Sequence, residues 1–161
     1  MNISENSRIW IYQSDRAFSP TEEQAVRQQL NEFTGQWKAH GQELLTEGTV
    51  LYGRFIVIAV DEQQAEASGC SIDSSTRLIK NLEKELGVDL FNRFNMAYRS
   101  GDEVISCSRE EFEQLISEGK ITEDTIVFNN LIQTAGELKT SWEIPFKESW
   151  HARVFTLSPS I

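Results

Sequence analysis

Phe55-Ile56-Val57-Ile58-Ala59-Val60 is the longest apolar run of the chain, and it governs how the rest is read. Consecutive apolar residues put hydrocarbon on both faces of an extended strand, whereas a strand with one wet face alternates apolar and polar. The run is therefore predicted to be the central strand of a sheet covered on both sides. It is far too short to cross a bilayer. The stretch Met1-Asn2-Ile3-Ser4-Glu5-Asn6-Ser7-Arg8 lacks the apolar segment of a signal peptide, so a cytoplasmic protein without membrane contact is expected.

Upstream, Glu47-Gly48 is the predicted turn of a hairpin between Trp37–Leu45 and Thr49–Val60. Arg8–Gln13 is β-branched and aromatic and reads as a first strand. Between them, Ser19-Pro20-Thr21-Glu22 combines a capping-box pair with proline at the first helical position. Val26, Leu30 and Phe33 continue that helix to about residue 34. Downstream, Leu78, Ile79, Leu82 and Leu86 predict a helix from about Thr76, closed by Gly87 with Val88 folding back on Leu82. Phe94–Arg99 and Val104–Cys107 read as strands joined by Ser100-Gly101-Asp102.

The order βαββαβ implies an α+β fold with a ferredoxin-like core and an antiparallel sheet over residues 1–99. Residues 100–161 read as a C-terminal α/β extension. A second capping box, Ser108-Arg109-Glu110-Glu111, opens a helix through Phe112, Leu115 and Ile116 to Gly119. Thr125–Phe128 is a short strand before a turn at Asn129-Asn130, and Arg153-Val154-Phe155 reads as a closing strand. The extension is expected to cover the second face of the sheet, so that residues 1–161 form a single domain, a monomer or a homodimer.

With 161 residues, 39% of them hydrophobic, the chain has enough apolar mass for a packed core. A net charge of -10 opposes nucleic acid and anionic membrane surfaces by like-charge repulsion. Charge is also uneven. Residues 101–124 hold eight acids against Arg109 and Lys120, while residues 77–99 hold five bases against three acids, and both read as solvated helix faces rather than docking patches. Cys70 and Cys107 are far apart, with no CxxC and no histidine at zinc-ligand spacing, so reduced thiols and no metal site are expected.

The chemistry on offer centres on Ser68-Gly69-Cys70-Ser71-Ile72-Asp73-Ser74-Ser75, read as a polar loop entering the second helix. Amides at a helix start favour an anion, and the same field lowers a thiol's pKa. Gly69, Ser71, Asp73 and Ser74 are thus candidate ligand-binding residues, and Cys70 is a candidate nucleophile. His40 and His151 are the two histidines that can serve it as base. With the hairpin turning at Glu47-Gly48, His40 falls opposite Phe55, roughly 16 Å up the strand from the start of the Cys70 loop. Trp37 and Trp150 lie near the two histidines in sequence, which suggests a pocket joining those segments. Phe55–Val60 followed by Asp61-Glu62 mimics a Walker B strand, but Gly119-Lys120-Ile121 is no Walker A loop. Spacing from Cys70 to Arg77 is one residue longer than the CxxxxxR of a phosphatase loop.

Trp10-Ile11-Tyr12-Gln13-Ser14, Trp37-Lys38-Ala39-His40-Gly41, Arg54–Ile58, Gly69–Asp73, Thr125–Asn130 and Glu148–His151 resemble segments of an uncharacterised family of small bacterial proteins. Members of that family are often labelled "ABC transporter ATPase". The label implies a Walker A loop and an ABC signature, and this sequence has neither, so an ABC-type ATPase is not expected. The resemblance points to His40, Gly69–Asp73, Asn129, Asn130 and His151 as site positions. The reading reached is a module binding a small anion or a protein partner through Gly69–Ser75, without a cofactor. A thiol-dependent hydrolase or transferase using Cys70 is the alternative.

Overall fold

Residues 55–61 form the middle strand of an antiparallel sheet, with Phe55 through Val60 entirely buried. The computed structural model describes residues 3–39, 42–62 and 67–157. In chain order the elements are β1 (Arg8–Gln13), α1 (Pro20–Gln36), β2 (Lys38–Ala39), β3 (Gln42–Glu43), β4 (Leu45–Leu51), β5 (Phe55–Asp61) and α2 (Gly69–Leu86). There follow β6 (Met96–Ser100), β7 (Glu103–Cys107), α3 (Arg109–Ser117), β8 (Ile126–Phe128), α4 (Ala135–Thr140), β9 (Glu143–Pro145), a 3-10 turn at Phe146–Glu148 and α5 (His151–Val154). The protein is α+β. None of the described helices is long and apolar enough to cross a membrane.

The chain divides into two compact units. One takes the described residues up to Phe91 together with Gln133–Gly136; the other takes Asn92–Ile132 and the described residues from Glu137 onward.

In the first unit the strand order is β1-β5-β4, every pair antiparallel. Ile56, Ile58 and Val60 share a core with Val26 and Leu30 of α1 and with Ile79 and Leu82 of α2. The hairpin turns at Tyr52-Gly53, both in the left-handed region (φ 54° and 61°), and not at Glu47-Gly48. Gly48 instead sits inside β4 opposite Ile58, where an added Cβ would stand 3.1 Å from Leu30 Cβ. A glycine that reads as a turn residue is there to admit a helix.

Three strands follow the ferredoxin-like order, but the fourth expected strand does not join them. Residues 96–100 pair with β7 and β8 in a separate sheet. A tight hairpin with Gly101 at φ 61° supplies β6 with a local partner, and it does not require the edge of β1. That edge is instead met by a strip of later chain. Ile9 N donates to Gln133 O at 3.0 Å and Ala135 N donates to Ser7 O at 2.9 Å.

The second unit is a four-stranded antiparallel sheet, β7-β6-β8-β9, under α3. Ser108 and Glu111 form the predicted capping box of α3. Phe112, fully buried, is surrounded by Phe155, His151, Phe146 and Tyr98 at ring distances of 4.9, 5.7, 6.3 and 6.5 Å. Arg153-Val154-Phe155 is not a strand. His151–Val154 makes one helical turn, and Phe155 N donates back to His151 O at 2.8 Å, which drops the Phe155 ring onto Phe112.

Candidate functional site

The stretch Gly69–Ser75 is the first two turns of α2, not a loop before it. Ser68 is the N-cap: its hydroxyl accepts from Ser71 N at 3.1 Å, and Ser71 Oγ accepts from Ser68 N at 2.7 Å. Ile72 N already donates to Ser68 O at 2.9 Å, and Asp73 to Thr76 lie within the helical ladder. Of the four amides that a helix start leaves over, the cap takes two, so the amides of Gly69 and Cys70 are what can meet an anion. Ser71 and Ser75 are buried on the core side, two turns and one turn before Ile79 respectively. Asp73 is exposed, and Ser74 Oγ donates to Cys70 O at 3.0 Å.

Cys70 is exposed in the first turn of α2. His40 lies outside the described residues. His151 belongs to the second unit and is 1% exposed. Its Nδ1 is 2.7 Å from Ser149 Oγ, and its ring stacks on Trp150 at 3.9 Å. Burial holds its pKa down to about 4, so the imidazole is neutral and packs as one of the aromatic rings around Phe112.

The remaining predicted positions hold local structure. Trp37 packs against Trp10 and Phe33, and its Nε1 donates to Ser71 O at 2.8 Å. Asn129 Oδ1 accepts from Leu131 N at 3.2 Å, and Asn130 Oδ1 accepts from Trp142 Nε1 at 2.9 Å, so both side chains shape the turn after β8. Trp150 Nε1 is buried and has no hydrogen-bond partner. Glu62 of the Walker B mimic accepts from Ala67 N at 3.0 Å. Among the described residues no group of histidine, cysteine and carboxylate side chains is placed to hold a metal ion.

A groove that the sequence did not reveal lies in the second unit, bounded by β6, β7 and α3, with a volume of about 480 Å³. Tyr98, Ile105, Cys107 and Leu115 give it apolar walls, and Glu110, Glu111 and Glu118 bring carboxylates to it. Tyr98, Ile105 and Cys107 share one sheet face because Tyr98 pairs with Ile105 and Cys107 lies two residues on. Glu111 and Leu115 follow helical spacing along one stripe of α3, and Glu118, the C-cap residue just beyond it, continues the i, i+4, i+7 spacing. Burial, with the Glu111 charge as a second cause, pushes the Cys107 thiol up to about 12. The available signal was the acid-rich stretch 101–124; what was missing was that β7 and α3 face each other across a gap. Compared with protein-family models, curated proteins and solved structures, the chain matches none.

Proposed function

We propose that this protein is a partner-binding module whose recognition surface is the groove between β7 and α3. The observation that supports it is the groove itself: about 480 Å³ of open space with an apolar floor and convergent polar groups, within the range of ligand sites. Binding is favoured over chemistry there because the lining nucleophile, Cys107, is held as a neutral thiol and, among the described residues, no histidine lines the groove. Among the described residues, the helix start at Ser68 offers an anion the amides of Gly69 and Cys70. The thiol-enzyme alternative retains the exposure of Cys70 as its support.

The test is chemical-shift mapping with neutral probes, namely cyclohexanol, phenol and indole at millimolar concentration. Perturbations concentrated at Ile105, Cys107 and Leu115, and lost in Leu115→Glu, are expected. Scattered or absent perturbations would overturn the assignment.

A further inference from the structure

Resting on the groove assignment, we infer that its occupant is a basic peptide segment of a partner protein, extended along α3 with apolar side chains on the Tyr98–Ile105–Leu115 floor and a lysine or arginine at the carboxylate rim. Charge complementarity selects the sign. Glu110, Glu111 and Glu118 all line the groove, and among the described residues no basic one does. The two bases of the segment are already engaged, one of them on the groove carboxylate Glu118, so that Glu110 and Glu111 carry the unoffset charge. Arg109 pairs with Glu113 at 3.4 Å and lies over the Phe155 ring at 5.5 Å, while Lys120 reaches back to Glu118 at 3.1 Å. Glu111 uses one oxygen, Oε1, to accept from Ser108 N at 3.2 Å, which fixes the side chain while leaving Oε2 outside that bond.

The raised Cys107 pKa is in accord with this negative, partly desolvated surrounding. An anion would meet repulsion from Glu110 and Glu111, while Glu118 is shared with Lys120 and Gln114. Shape favours a chain over a small molecule, because a trough open to solvent buries less of a compact ligand than an enclosed pocket does. The nine residues of α3 make it about 13 Å long, the span of about four extended residues.

The experiment is fluorescence polarisation on the whole protein with labelled hexapeptides alternating leucine with arginine, glutamine or glutamate, and with labelled agmatine as a small cation. The arginine peptide is expected to bind at least about tenfold tighter than the glutamine peptide, with the glutamate peptide not binding, and its affinity should fall as salt rises from about 0.05 to about 0.5 M. Glu110→Gln alone, and Glu110→Gln with Glu118→Gln, should weaken it stepwise to about fivefold or more. Glu32→Gln on α1 should not weaken it.

Equal binding of the arginine and glutamine peptides would overturn the charge assignment. So would equal losses in Glu32→Gln and the groove variants, the mark of attraction to the whole acidic surface. Agmatine matching the peptide would overturn the peptide in favour of a small cation. If no peptide binds while neutral probes still map to Ile105 and Leu115, this inference fails and the groove stands; if neither binds, both fall.

Discussion

The indole N–H of Trp37 donates to the carbonyl oxygen of Ser71 across 2.8 Å in a buried setting. This bond joins the residue that ends α1 to the first turn of α2, so the start of the second helix is fixed by the first. Trp37→Phe keeps an aromatic ring beside Trp10 and Phe33 but deletes the donor. A loss of about 1–2 kcal/mol in urea unfolding is expected, and an unchanged midpoint would show that the bond contributes nothing net.

Gly48→Val places a branched side chain where even a Cβ would stand 3.1 Å from Leu30 Cβ and 3.5 Å from Thr34 Cγ2. Valine favours strands, so propensity alone predicts a gain. Overpacking against α1 outweighs it, and a loss of about 2 kcal/mol or more is expected from the unfolding midpoint. A stabilised variant would show that α1 can retreat at no cost.

Iodoacetamide should separate the two thiols. Cys70 is exposed, whereas Cys107 is buried and its pKa is pushed up to about 12. Mass spectrometry of the native protein should find Cys70 alkylated and Cys107 modified only in denaturant. The pH dependence of the Cys70 rate bears on the thiol-enzyme reading: a midpoint well below about 8.5 favours it, and one at or above that value removes its motive.

Acid should weaken the protein in two stages. His151 titrates at about 4 when folded against 6.5 ordinarily, so the unfolded chain takes up its proton first. Stability is full above pH 6.5 and falls as pH drops toward 4, by about 3 kcal/mol in total from this group. His151→Phe should flatten that part of the curve. Glu22, which the Arg16 guanidinium and the Ser19 amide hold down to about 2 against 4.5, adds a smaller loss between those two values. Urea unfolding at stepped pH measures both, and a flat profile from pH 6.5 to 4 in the native sequence would remove the account of His151.

Much of the fold is legible because local rules agree with it. The two-sided apolarity of Phe55–Val60, the capping boxes at Ser19 and Ser108, and the left-handed Gly87 that ends α2 each stand where short-range chemistry puts them. The misreadings have specific causes. Ser71 and Ser75 occupy buried helical positions with polar side chains, and Ser75 Oγ donates to Ile72 O at 2.7 Å, so the apolar period of α2 begins only at its third turn. Gly48 serves a close approach, which looks like a turn in sequence. Strand β6 satisfies hairpin chemistry in either sheet, and only long-range packing chooses between them. The groove is hidden for a similar reason: Glu111, Leu115 and Glu118 describe an ordinary amphipathic helix until Ile105 and Tyr98 stand opposite.

The strip Gln133–Gly136 that meets β1 means the backbone passes between the two compact bodies three times, after Phe91, after Ile132 and after Gly136. No single cut yields both bodies intact. A polypeptide stopped at Phe91 would leave Ser7 O and Ile9 N without the partners that Ala135 and Gln133 give them, baring a strand margin of the kind that promotes self-association. Truncations meant to isolate either body must therefore carry or replace that returning tetrapeptide.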